Sequence, residues 1–144
     1  SVVGHVKPRD EATLDAFFAL ERPTCTSLVL GGVRFKYQPV LSEHTVEEDI
    51  ETAKGRCDAI CVTGDGTGME APIDKIRRFK LACGDTPLVI CSGVNVDNCA
   101  EQLAVADGAV VGSFFKDTGK DTGDVSAEKI ELLMQQVRAL RGKL

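Results

Sequence analysis

The sequence predicts an α/β protein of consecutive βα units with four parallel strands. Three observations carry that expectation. Short apolar runs alternate with stretches of helical period. The runs begin near Leu28, Asp58, Pro87 and Gly108, about 30, 29 and 21 residues apart, which is the spacing of right-handed crossover units. The runs are also apolar nearly throughout, as strands covered on both faces should be.

The elements follow in order. Residues 12–21 (Ala12, Leu14, Phe17, Phe18, Leu20) have helical period, with Asp10 near the start and Pro23 past the end. Leu28 to Tyr37 reads as a strand weakened by Gly31-Gly32. Thr45-Val46-Glu47-Glu48 is a capping box that opens a helix ending near Gly55. The acidic run Glu47-Glu48-Asp49 then complements the helix dipole and is read as a first turn, not a metal site.

Asp58 to Thr63 is the second strand, followed by the loop Gly64-Asp65-Gly66-Thr67-Gly68. Pro72 suits the first turn of the next helix, Ile76 and Phe79 give it an inward face, and Gly84 stops it. Pro87 to Cys91 is the third strand. Asn95 is expected to cap a short helix containing Cys99 and Leu103. Gly108 to Gly112 is the fourth strand. A polar loop, Lys116 to Asp124, leads to Ser126, the cap of a terminal helix through Ile130, Leu133, Met134, Val137 and Leu140.

Four βα units make half of an eight-fold barrel, which typically needs about 250 residues. The expected architecture is therefore one α/β domain over residues 1–144, built like the C-terminal half of a TIM (βα)₈ barrel, with residues 1–27 as a leader and helix. An open doubly wound sheet is the geometric alternative. Left unpaired, the two outer strands are exposed edges, so the expectation is a homodimer or a second chain completing the barrel, or else a fragment of a longer barrel protein.

Composition narrows the function. The chain has 144 residues, with 43% apolar and 27% charged, which is ordinary for a globular protein. The net charge of −5 with scattered basic residues argues against nucleic acid, and no apolar run is long enough for a membrane span. Six cysteines (Cys25, Cys57, Cys61, Cys83, Cys91 and Cys99) show no CxxC. Cys61 and Cys91 lie in apolar strand patterns and read as small hydrophobes. The expectation is free thiols, no metal, no cofactor and a reducing cytoplasmic setting.

Two turns point to a ligand. Leu88-Val89-Ile90-Cys91-Ser92-Gly93-Val94 and Ala109-Val110-Val111-Gly112-Ser113 each end an apolar strand in a glycine–serine pair. Backbone N–H groups there are open to a phosphate, because glycine has no Cβ in the way. On adjacent parallel strands, Ser92, Gly93, Gly112 and Ser113 form a phosphate cradle of the kind found after strands seven and eight of a barrel, with Lys116 beyond it. The alternative is that the glycines only permit tight turns. Gly64, Gly66, Thr67 and Gly68 form a candidate lid. Asp65 at its tip is a candidate general base, and Lys36, near a strand's carboxyl end, is a candidate Schiff-base or anion-pairing lysine. His5 and His44 have no visible nucleophile partner and are expected on the surface. Asp107 precedes the last strand and reads as structural.

From Leu28 onward the sequence resembles the carboxyl half of the BtpA family of (βα)₈ barrels. The matching pieces are residues 58–68, Ser92-Gly93-Val94 with Asn98 beyond, Ala106-Asp107-Gly108-Ala109-Val110-Val111-Gly112-Ser113, and Lys116. The resemblance implies a phosphate-binding barrel. The family's namesake is associated with photosystem I accumulation and assembly, and other members lie in sugar-related settings. The family's strand before the capping-box helix ends in a basic Lys-His pair, where this sequence has Lys36-Tyr37-Gln38-Pro39. If that end is catalytic, the resemblance implies a weakened copy. The leading expectation is a protein that binds a phosphorylated small molecule at the carboxyl ends of its last two strands, with isomerase- or lyase-type chemistry if it is an enzyme; the rival is a non-catalytic assembly or scaffold protein.

Overall fold

The computed structural model describes residues 10–41 and 43–142. His5 lies outside them. Helix α1 (Glu11–Glu21) is capped by the Asp10 side chain, which accepts from the Thr13 N–H. Then come β1 (Leu30–Gly32), α2 (Val46–Lys54), β2 (Ala59–Val62), α3 (Ile73–Cys83), β3 (Leu88–Ile90), α4 (Cys99–Leu103), β4 (Gly108–Ala109) and α5 (Ala127–Arg141). Two 3₁₀ turns, Arg22–Thr24 and Ser113–Phe115, complete the order. Among the described residues no helix is long and apolar enough to cross a membrane.

The four strands form one parallel sheet in sequence order. Cys61 stands opposite both Gly32 and Val89, and Val89 stands opposite Gly108. Side chains alternate across a strand. One face of the sheet carries Ile60, Val62, Leu88 and Ile90, all fully buried under the helices together with Ile50, Ile76 and Phe79. The opposite face carries Cys61 and Val89, flanked by Leu30 and Val110 at the two edges, each 56% exposed. The helices thus cover one side of the sheet.

The βα connections are set by local chemistry. The capping box forms: the Thr45 hydroxyl accepts from Glu48 N–H at 3.2 Å, and Glu48 accepts from Thr45 N–H at 2.8 Å. Pro72 precedes α3 and Gly84 ends it at φ 58°. Ser126 caps α5. Gly55 caps α2 with an ordinary helical φ of −73°, so it does not use the left-handed conformation open to glycine.

The first and fourth strands are shorter than the apolar runs suggest, and the causes are local. The run Leu28–Tyr37 is a strand only over Leu30–Gly32, because the chain turns at Arg34 and Tyr37, whose φ values are 46° and 62°. The glycine pair expected to weaken this strand is its paired part. The fourth strand ends at Ala109, although Val110 N–H still donates to Ile90 O at 2.8 Å. Helix α4 starts after Asn98, not Asn95. Asn95 Oδ1 instead accepts from the N–H groups of Asp97 and Asn98, capping the lead-in turn.

Candidate functional site

At the amino end of the sheet, carboxylates hold strand starts. Asp58 accepts from Val29 N–H at 2.7 Å and pairs with Arg22. Asp107 accepts from Leu88 N–H at 2.7 Å and from Lys80 Nζ at 2.8 Å. The Val29 N–H foremost, then the Arg22 charge, lowers the Asp58 carboxyl below its ordinary range. Burial pushes Asp107 up, and the Leu88 N–H with Lys80 more than offsets that, so its carboxyl also ends below the ordinary range.

The carboxyl end differs. A cavity of about 280 Å³ opens between the ends of β3 and β4. Its wall includes Ser92, Gly93, Gly112 and Ser113, together with Thr67, Gly68, Lys36 and Cys91. Among the described residues no Asp, Glu or His lines it. Of the expected cradle residues, the structure brings these four together and leaves out Lys116. The Lys116 backbone bridges to Val125, and its carbonyl accepts from Lys129 Nζ at 2.6 Å.

The two cradle glycines have different surroundings. A Cβ on Gly93 would lie 2.3 Å from Glu70 N, and its φ is 69°, so the neighbouring loop already needs a glycine there. A Cβ on Gly112 meets nothing within 4 Å. Asn98 explains its place in the motif: its Nδ2 donates to Gly93 O at 3.0 Å and its Oδ1 accepts from Asn95 N–H at 2.9 Å, which locks the turn. Ser92 is 5% exposed and its Oγ accepts from Gly64 N–H at 2.7 Å, leaving its own proton to donate.

The Gly64–Gly68 loop is tied down. Tyr37 Oη accepts from Thr67 N–H at 2.6 Å, Tyr37 N–H donates to Asp65 O at 3.3 Å, and Lys36 N–H donates to Thr63 Oγ1 at 2.9 Å. Thr67, through its side chain first and then its N–H, holds the Tyr37 phenol below its usual value. Gly64 and Gly66 are buried in this packing, while Thr67 and Gly68 reach the cavity wall.

A second cavity, about 690 Å³, lies beside the first and shares Lys36 with it. It is lined by Arg34, Asp65, Lys75 and Arg78, among others. Asp65 therefore faces this cavity and not the cradle. Lys75 Nζ donates to Thr63 O at 2.7 Å, and burial lowers its ammonium below the usual lysine value. Nothing in the sequence singles out Lys75.

The acidic run of α2 is not simply solvated. Asp49 is 1% exposed and pairs with Arg34 Nε at 2.8 Å, while Glu47 pairs with Arg78 at 2.7 Å and is lowered to about 2 by that guanidinium. His44 is exposed, with Nδ1 3.8 Å from Asp49. Among the described residues no group of three His, Cys, Asp or Glu could hold a metal ion.

Cys91 is the functional candidate the sequence reading missed. It is half-buried at the cavity wall, where a small hydrophobe was expected. Cys61 sits on the same sheet face, opposite Val89, two residues before Cys91. The neighbouring Cys91 thiol foremost, then burial, pushes the Cys61 thiol up. Cys91 Sγ donates to Val89 O at 3.7 Å.

Comparison with known proteins agrees with this architecture. The BtpA family model matches residues 21–139. An uncharacterised protein of Pyrococcus abyssi is 31% identical over 115 residues, covering 80% of this chain and 44% of the relative. A putative sgc region protein of Escherichia coli is 32% identical, covering 58% of this chain and 31% of the relative. Among solved structures, phosphoribosyl anthranilate isomerase of Thermus thermophilus matches with a TM-score of 0.56 at 22% identity, covering 79% of this chain and 52% of the isomerase. The N-(5′-phosphoribosyl)anthranilate isomerase of Pyrococcus furiosus matches with a TM-score of 0.52 at 17% identity, covering 89% and 57%. The chain thus spans under half of the relatives and about half of the isomerases. At these identities the isomerases show the barrel-like fold alone.

Proposed function

The chain belongs to the BtpA family, and from that premise we propose that it binds a phosphorylated small molecule at the carboxyl ends of β3 and β4. The supporting observation is the cavity between those ends. Its polar wall is made of Ser92, Ser113 and two glycines, its cation is Lys36, and no carboxylate among the described residues opposes an anion there. That the solved neighbours are named for phosphoribosyl compounds supports the same ligand class.

The test is a thermal shift with inorganic phosphate and with sugar phosphates. Gly112→Val should abolish the shift without unfolding the chain, because its Cβ enters open cavity space. A shift that survives Gly112→Val removes the cradle from the site.

The exposed Leu30 and Val110 at the sheet edges favour a companion reading: a second half, from the rest of a longer chain, from a copy of this chain or from another chain, covers the open face. Light scattering after gel filtration distinguishes a dimer from a monomer. An assembly role without catalysis would need that covering surface and no ligand shift. The six cysteines are all free, which suits a reducing compartment such as the cytoplasm.

A further inference from the structure

The 690 Å³ cavity has two lysines on its wall, and Thr63 holds both of them. Thr63 follows β2 and is fully buried. Its hydroxyl accepts from the Lys36 N–H at 2.9 Å, and its carbonyl accepts from Lys75 Nζ at 2.7 Å. The ammoniums also lie over rings of the same wall, Lys36 at 5.7 Å from the Phe35 centroid and Lys75 at 5.8 Å from that of Phe79. The guanidiniums of the wall are already matched, Arg34 by Asp49 and Arg78 by Glu47. Among the described residues neither Lys36 nor Lys75 forms an ion pair. An ammonium has three donors, so the bond to Thr63 leaves Lys75 with two for another acceptor. A partly buried charge gains most from an acceptor of opposite charge.

We propose that this cavity is an acid subsite contiguous with the cradle, in which Lys75 and Lys36 take a carboxylate at the far end of a phosphorylated ligand. Lys36 lines both cavities and so joins the two anionic groups. Asp65 and Asp74 share the second wall, so a singly charged carboxylate is repelled less there than a second phosphate would be. Asp74 pairs with Arg77 at 3.3 Å, which leaves Asp65 to accept a ligand hydroxyl. The ligand class is then a phosphorylated hydroxy acid. The proposal rests on the phosphate reading of the first cavity.

Isothermal titration with 6-phosphogluconate and with sorbitol 6-phosphate tests it, since the two differ only in a terminal acid or alcohol. The parent should bind the acid about tenfold more tightly than the alcohol. Lys75→Met should remove that preference, and Lys75→Arg should retain part of it. Lys36→Met should weaken both compounds, because its ammonium serves both cavities. Equal affinities of the parent for acid and alcohol, with inorganic phosphate still bound, overturn the acid subsite and keep the cradle; this arm needs no variant. A preference that survives Lys75→Met places the acid elsewhere and also overturns the proposal. Gluconate binding that Lys75→Met abolishes, in a chain that binds no inorganic phosphate, keeps the lysine pair and overturns the cradle reading and the bridging ligand with it.

Discussion

At both ends of the sheet side chains accept backbone N–H groups, but from different kinds of residue and to different effect. At the amino end, Asp58 and Asp107 each take a strand N–H and a cation, so every charge there is met. At the carboxyl end, the hydroxyls of Thr63, Ser92 and Tyr37 take backbone N–H groups from a neighbouring loop. Those bonds shape a wall around a cavity that holds a lysine and a thiol without a carboxylate. Left-handed backbone gathers at this end, at Arg34, Tyr37, Gly68 and Gly93. The contrast teaches that one end is closed by ion pairs on strand starts, while the other keeps left-handed backbone around an opening. That division between a stability face and a ligand face is common to parallel barrels.

The sharpest way to break the comparison is to put a side chain on each cradle glycine. Gly93→Val places a Cβ 2.3 Å from Glu70 N in a backbone conformation that valine disfavours. It should cost about 3 kcal/mol or more, read as a large fall in the urea midpoint. Gly112→Val should stay within about 0.5 kcal/mol of the parent. Equal losses at the two positions would mean that the carboxyl end has no open side at Gly112.

Much of this was legible in the sequence. Apolar runs at regular spacing announced a parallel sheet, and the capping box, Pro72, Gly84 and Ser126 marked helix ends, because each depends on chemistry within one turn of chain. That Ser92, Gly93, Gly112 and Ser113 share one cavity wall could be expected because each turn follows its own strand. What was illegible depends on register and on loop packing. That Cys91 meets Cys61 follows only from β2 and β3 pairing with Cys61 opposite Val89. That Gly93 serves Glu70, while Asp65 turns to a separate cavity, depends on a loop path no local pattern encodes. The long first strand failed for the same reason: Val33 N–H still donates to Cys61 O at 3.4 Å, but Phe35 looks strand-like and lies in a turn set by contacts across to Thr63 and Asp65.

A second prediction sharpens the amino end. Asp107→Ala leaves the N–H of buried Leu88 without its acceptor, which should cost about 1–3 kcal/mol at neutral pH. The Lys80 pair adds little, because both groups are partly exposed. Asp107 is held below its ordinary value of 3.8 in the fold. A depressed carboxyl stabilises the fold above its unfolded pKa and loses that contribution as pH falls through the folded one. Stability should therefore drop as pH falls below about 4, and the drop should be shallower in Asp107→Ala. Urea titrations at pH 7 and pH 3 measure both effects. An equal acid loss in parent and variant would remove Asp107 from the pairs that close this end.

The smallest effect tests whether the loop ties of the carboxyl end serve the cavity or only the fold. Tyr37→Phe keeps the ring and removes the phenol oxygen that accepts from Thr67 N–H at 2.6 Å. Tyr37 is 68% exposed, so water can take over that N–H and the stability cost should be about 0.5–1 kcal/mol. Thr67 and Gly68, however, form part of the cavity wall, and Gly68 stands against Ser113 across it. Loosening the tie should therefore weaken phosphate binding several-fold while the melting temperature barely moves. Isothermal titration with inorganic phosphate beside a thermal melt separates the two readouts. If affinity and stability fall in proportion, the tyrosine only braces the fold. If affinity falls alone, the turn at Arg34–Tyr37 has ended the strand early in order to place this ring, and its backbone strain belongs to the cavity.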